Sequence, residues 1–331
     1  MSTRHYRAIV FLTLGLAVLP LAVSSNVMLN FLTFTLIITV AAQGWNVLAG
    51  YGGQFSFGHA AFFGTGAYAI ALAQVRFGIN PWVALPISIV FGAAVGLFIG
   101  YLSFRANLRG SYFALVTLAF AEVMRIATNA SAFTGGAAGV LIPLQVSPQN
   151  FQFEDRRTFY WLALSFVAAI LLLTSRMLQT RFGAHLLAVR ENEDAARALG
   201  VDVLAVKLKA IALSGGITSA AGALYAQKFL YLDATIGFGP WISVEALLAP
   251  IIGGLGTVFG PLVGAVVLLG LGEATKIWLH ELTGAVVPGV DLVVFGVLLI
   301  LCVAFAPRGL IGLAESVKAR LLDRKGSGQT P

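Results

Sequence analysis

The chain has 331 residues, 58% of them hydrophobic and 11% charged, whereas an average soluble domain carries about 25% charged residues. With a mean hydropathy of +0.89, this composition excludes a water-soluble globule and points to a polytopic membrane protein. The excess of 21 basic over 14 acidic groups is read as the positive-inside bias of membrane proteins, which leaves no case for a nucleic-acid partner.

Apolar runs cover 8–23, 29–48, 57–75, 82–104, 112–128, 159–175, 209–230, 241–255, 259–279 and 292–306. A span needs roughly 20 apolar residues, so the chain is expected to be all-α with about ten transmembrane helices. The first run follows Arg4 and Arg7 and ends on the small residues Ala22 and Ser24. It is read as a retained first helix, with a cleaved signal peptide as the alternative. The runs beginning at Phe57 and Trp241 are short and glycine-rich, so either is a candidate for a broken or re-entrant helix.

Charge sets the expected orientation. With the N-terminus inside, fifteen of the 21 basic groups fall on one side: Arg4, Arg7, Arg105, Arg109, those in 176–209, and those from Arg308 onward. Glu154, Asp155, Asp233, Glu281 and Asp291 fall on the other, as do Trp82, Trp161, Trp241 and Trp278 at the outer ends of their runs. Both signals place the two termini in the cytoplasm.

Two polar segments interrupt the pattern. Gly135, Gly136, Gly139, Pro143 and Pro148 mark 130–158 as an external loop with little regular helix. The internal segment 176–207 reads as short amphipathic helices, with Asn192 as an N-cap, Glu193 and Asp194 in a first turn and Gly200 as a stop. Its apolar residues Leu186, Leu187, Val189, Ala195, Ala196 and Leu199 are expected to fill a groove on a partner. The residues after Arg324 read as a polar tail.

No catalytic constellation is present. The glycine clusters at 50–53 and 253–256 lack the lysine of a phosphate-binding loop, and no nucleophile elbow occurs. Cys302 is the only cysteine, and His5, His59, His185 and His280 are scattered, so no metal site is expected. What remains is polar residues in apolar surroundings. Glu122 and Arg125 share a helix face and are read either as a buried ion pair fixing packing or as the lining of a substrate path. Glu245 is read as a helix start or a site. Ser56, Gly58 and His59 lie in a run of small residues that suits close helix packing or the approach of a ligand to backbone. Pro250 is expected to bend its helix.

The segments GYGGQFSFGHAAFFGTGAYA, LRGSYFALVTLAFAE, TGGAAGVLIP, RENEDAARALGVDVLAVKLKAIALSGGITSAAGALYA and IIGGLGTVFGPLVGA, in that order, resemble the LivM-type permease subunits of branched-chain amino acid ABC importers. The resemblance covers most of 44–310. It implies a transmembrane permease domain over 1–310, an ATPase-coupling loop at 176–209 and a cytoplasmic tail at 311–331, in a multi-pass protein of the bacterial inner membrane. It implies no cofactor in this chain, with ATP and magnesium in the partner ATPases. The implied partners are a LivH-type permease, two cytoplasmic ATPases and an external substrate-binding protein. Candidate path residues on these motifs are Ser56, Gly58, His59, Thr117, Glu122, Gly135, Gly136, Glu245, Gly253 and Gly254. The stretch Asp194 to Gly200 looks like the family's EAA---G docking loop with Asp for Glu, which gives Arg190, Glu193, Asp194, Ala195, Ala196 and Gly200 as coupling residues. Ala137 and Ala138, and the Leu248-Ala249-Pro250 sequence, depart from the family pattern. Two alternatives stay open: a proton-coupled secondary transporter using Glu122 or Glu245, and, within the ABC class, a carrier of urea or short amides.

Overall fold

The computed structural model describes residues 3–23, 25–284, 289–306 and 308–316. The expected tail after Arg324 lies outside these residues. They are mostly helical, in two compact units, Met1–Leu247 and Leu248–Pro331.

The first unit holds α1 (Thr3–Ala22), α2 (Asn26–Trp45), α3 (His59–Phe77), α4 (Pro81–Arg105), α5 (Ser111–Ala130), α6 (Arg156–Met177), α7 (Arg181–Glu191), α8 (Glu193–Ala198), α9 (Val203–Phe229) and α10 (Ala234–Phe238). Then α11 (Pro240–Gly253) runs across the division, and α12 (Gly260–Thr283) and α13 (Val290–Phe305) belong to the second unit. Every apolar run is therefore helical. Seven of these segments are long and apolar enough to cross a membrane: Asn26–Tyr51, Pro81–Arg105, Ser111–Ala130, Arg156–Met177, Val203–Phe229, Ala234–Gly253 and Gly260–Thr283. The expected count of ten is not reached by this standard. The apolar parts of α1 and α13 are shorter, Tyr6–Ala22 and Leu292–Cys302, and α3 carries His59, Gln74 and Arg76 among its apolar residues.

Helix starts follow from side-chain caps. Asn80 accepts from the Trp82 amide, Asp155 from Arg157, Asp202 from Ala205 and Asp233 from Ile236. The run from 241 is itself one helix to Gly253; the interruption lies just before it, where Gly239 is extended between α10 and α11, with ψ 153°. The proline that follows disfavours helical geometry there. Within α11 the helix continues past Pro250.

Helix α9 forms the centre of the first unit, packed by α2, α3 and α4. Its approach is too close for side chains. A Cβ at Gly66 would lie 2.0 Å from the Ser219 carbonyl oxygen, and one at Gly222 would lie 1.9 Å from that of Phe63. Lipid tails are as apolar as leucine, so helices in a membrane gain from such van der Waals contact and not from burying apolar surface.

The two ends of this unit differ. At one, Trp82 Nε1 donates to the Pro148 carbonyl at 2.8 Å and Asn80 Nδ2 to that of Gln149 at 3.1 Å. This end carries the 131–155 segment, which has only short 3-10 turns and the strand β1 (Val140–Leu141), paired antiparallel with β2 (Tyr231–Leu232). At the other, Arg109 meets α8.

Candidate functional site: a buried polar centre and a tethered loop

Helix α2 ends in a π-helical turn, Asn46–Tyr51, every residue of which is buried. Such turns are uncommon and concentrate at functional sites. The chain then turns at Gly53, with φ +68°, and reaches α3 through 54–58.

This connection holds the first cluster. His59 is fully buried, with Nδ1 at 3.2 Å from Ser56 Oγ and Nε2 at 2.9 Å from Ser214 Oγ of α9. Trp45 Nε1 donates to the Ser56 carbonyl at 2.7 Å. The Phe57 amide donates to Thr117 Oγ1 at 3.2 Å, and the Ala60 amide to Ser243 Oγ at 2.9 Å. A Cβ at Gly58 would lie 1.9 Å from the Thr117 carbonyl oxygen. Ser56, Gly58, His59 and Thr117 are thus brought together, as a satisfied polar core joining α2, α3, α5, α9 and α11. Ser214 and Ser243 complete this core and went unnoticed in the sequence, because serine in an apolar helix carries no signal of its partner.

The other path candidates lie elsewhere. Gly135 and Gly136 are turn residues after α5, with φ +84° and +56°. Glu245 is half-buried on α11. Gly253 and Gly254 belong to the second unit, where a Cβ at Gly253 would lie 1.8 Å from the Gly260 carbonyl oxygen and Gly254 has φ +141°. Glu122 and Arg125 pair as their spacing foretold, at 2.9 Å (Nε to Oε2) and 2.5 Å (Nη2 to Oε1). The pair is not buried within this chain, however: the side chains are 48% and 30% exposed. Helix α5 buries only the face of Phe113, Ala114, Thr117 and Ala121, and Glu122 stands outside it.

The second cluster is the loop of α7 and α8. Asn192 caps α8, accepting from the Asp194 and Ala195 amides at 3.0 Å each. Gly200, with φ +85°, ends it. The glycines of the GYGGQ motif receive α7: a Cβ at Gly52 would lie 3.1 Å from Leu186 Cδ1, and one at Gly53 the same distance from Arg190 Cγ. Arg190 Nη1 donates to the Gly50 carbonyl at 2.7 Å. Glu193 is the hub. It accepts from Gln54 Nε2 at 3.3 Å, pairs with Arg109 at 3.3 Å and pairs with Lys207 of α9. Lys207 also lies over the Phe104 ring, 5.3 Å from its centroid. Asp194 pairs with Arg197 at 2.8 Å and Arg109 at 3.5 Å. Because one carboxylate reaches the 54 turn, the 109 loop and α9, this loop is fixed to the helix bundle through three separate segments.

That tethering revises which loop residues face outward. Leu186, Val189 and Ala196 are buried inside this chain, at 0%, 1% and 3% exposure, so they do not fill a partner's groove. Helix α8 turns Ala196 inward and leaves Ala195, Ala198 and Leu199 outside. Leu199, at 86%, is the most exposed large hydrophobic among the described residues. Among those residues no group of three or more His, Cys, Asp or Glu side chains is arranged to hold a metal ion.

The family model described as branched-chain amino acid transport system / permease component matches residues 27–303. The chain is 29% identical over 310 residues to the high-affinity branched-chain amino acid transport system permease protein LivM of Escherichia coli K12, covering 86% of this chain and 69% of that one. It is 30% identical over 285 residues to a probable branched-chain amino acid transport permease protein LivH of Methanocaldococcus jannaschii, covering 78% and 85%. A solved structure titled as an inward-facing conformation of a putative metal-chelate type ABC transporter aligns over 88% of this chain and 97% of its own, at TM-score 0.49 and 18% identity. The chain therefore belongs to the family of permease components of branched-chain amino acid transport systems.

Proposed function

We propose that this chain forms half of a membrane pore that carries branched-chain amino acids, or related small amino acids and amides, inward by ATP-driven alternating access. Its partners are a LivH-type permease, two cytoplasmic ATPases that bind ATP and magnesium, and an external substrate-binding protein. The chain sits in the bacterial inner membrane with both termini cytoplasmic. The ion-paired end of the first unit then faces the cytoplasm and the Trp82–Pro148 end faces outward, in accord with the basic excess.

The observation that carries this reading is the loop of α7 and α8. It is too charged for lipid, it is tied to three parts of the bundle through Glu193, and it presents Leu199 to a partner. A partner that moves this loop moves the 50–54 turn with it, and that turn leads directly into the His59 core. Closure of the ATPases is thereby passed to α2, α3 and α9 without any covalent chemistry in this chain. Ser56, Gly58, His59 and Thr117 act by holding these helices together, and Glu122 is the path candidate left on an outer surface.

Reconstitution tests the reading. In proteoliposomes holding both permeases and both ATPases, with the binding protein outside, labelled leucine should enter only when ATP is supplied to the ATPase side. Excess isoleucine or valine should compete, and competition by urea or acetamide in their place would mark a carrier of urea or short amides. Uptake by this chain alone in a pH gradient would establish the secondary transporter instead.

A further inference from the structure

A groove of about 520 Å³ runs along the membrane-spanning face where α4, α6 and α9 meet, lined by Ile89, Ala93, Phe166, Ala169, Leu173 and Ala212 among others, all apolar. It exists because α6 and α9 barely touch here, while Ala93, Ala169, Ala212 and Gly216 leave the floor low. Its wall residues on α6, Phe166, Ala169, Ile170 and Leu173, follow the helical repeat, and the next position on that stripe is the exposed Arg176. On α9 the lining positions Ala220, Ile217, Leu213 and Ala212 lead in the same way to the exposed Lys209. These helices run in opposite directions, so both cations stand at the same mouth of the groove. Neither is paired with a carboxylate among the described residues.

We propose that this groove binds one anionic phospholipid, its acyl chain against α4, α6 and α9 and its phosphate between Arg176 and Lys209. The dimensions fit a single leaflet. From Arg176 to Phe166 is about 15 Å along the helix, and from Lys209 to Ala220 about 16 Å; half of a hydrocarbon core is about 15 Å. The cations therefore lie at headgroup depth when the far end of the groove lies at the bilayer midplane. An all-apolar lining offers a protein partner no hydrogen bond, whereas an acyl chain needs none. Two basic residues at the mouth select an anionic headgroup over a zwitterionic one.

The test is native mass spectrometry of the purified importer complex, delipidated and then titrated with phosphatidylglycerol or phosphatidylcholine. The complex should retain one phosphatidylglycerol at about tenfold lower lipid than is needed for phosphatidylcholine. Arg176→Gln/Lys209→Gln should abolish that preference while leaving a chain in the groove, and Ala169→Trp should abolish retention of both lipids. Equal retention of the two lipids by the native complex, or unchanged phosphatidylglycerol retention in either variant, would overturn the site. So would disulfide trapping of Ala169→Cys, in a Cys302→Ser background, to a cysteine on another subunit, since a protein would then cover the groove. Uptake assays are not involved, so failure here leaves the importer reading intact.

Discussion

Glu193 and Glu122 each sit on a helix with a basic partner nearby, yet their settings are opposite. Glu193 lies in a polar loop, but its side chain is 13% exposed and is held by Lys207, itself 6% exposed, together with Arg109 and Gln54. Glu122 lies in a membrane-spanning helix, but its side chain is 48% exposed and, among the described residues, pairs with Arg125 one turn away. The first carboxylate ties distant parts of the chain together. The second is satisfied locally and faces whatever lies beyond α5. Charge is thus used for internal cohesion at the hub, which Lys207 of the spanning helix α9 joins, and for outward presentation at Glu122.

The contrast can be broken by mutation, and the largest effect should come at the hub. Lys207→Met leaves a nearly buried carboxylate short of a partner, and should lower the stability of the solubilised protein by about 3 kcal/mol. Glu193→Gln/Lys207→Met removes both charges and should recover much of that loss. Thermal unfolding in detergent checks both, and equal losses in the single and double variants would show that the hub is solvated. Next in size is Gly58→Ala, whose Cβ would meet the Thr117 carbonyl at 1.9 Å. Separating α3 from α5 by that amount should cost about 2 kcal/mol and reduce the yield of folded protein. Gly200→Val forces a branched side chain into φ +85°, at about 1 to 2 kcal/mol, yet nothing lies within 4 Å of its Cβ. It should therefore loosen α8 without disturbing the bundle, seen as faster amide exchange confined to 193–201. The smallest effect should come from Glu122→Gln, which should leave the unfolding temperature of the isolated chain essentially unchanged. A marked drop would mean that the pair is more enclosed than the structure shows.

Much of this fold is legible in composition, because spans of hydrocarbon thickness demand long apolar runs and every such run proves helical. The cap at Asn192 and the stop at Gly200 are also legible, since each rests on backbone geometry that few residue types satisfy. Helix facing is not. The pattern around Glu122 gives its pairing with Arg125 but not the side of α5 that is buried, since lipid-facing and core-facing residues are equally apolar. Nor does the pattern of 181–200 reveal that Ala196 turns inward and Leu199 outward, because that depends on where α9 lies. The hub escapes the sequence for a related reason: Gln54, Arg109, Glu193 and Lys207 are joined only by tertiary contact. The glycine cluster at 50–53 reads in the sequence only as one without a phosphate-loop lysine, and its role as the seat of Arg190 and α7 appears only once the fold brings 50–53 against that helix.

In the proposed function the loop of α7 and α8 docks on the ATPase through Leu199. Cys302 is the single cysteine, so a Cys302→Ser background permits site-directed cross-linking in intact membrane vesicles. Leu199→Cys should cross-link to the ATPase subunit through a short bifunctional maleimide, whereas Leu144→Cys, 73% exposed on the opposite end, should not. A cross-link from Leu144→Cys, or none from Leu199→Cys in a complex that still couples ATP hydrolysis to uptake, would place the ATPase elsewhere than on this loop.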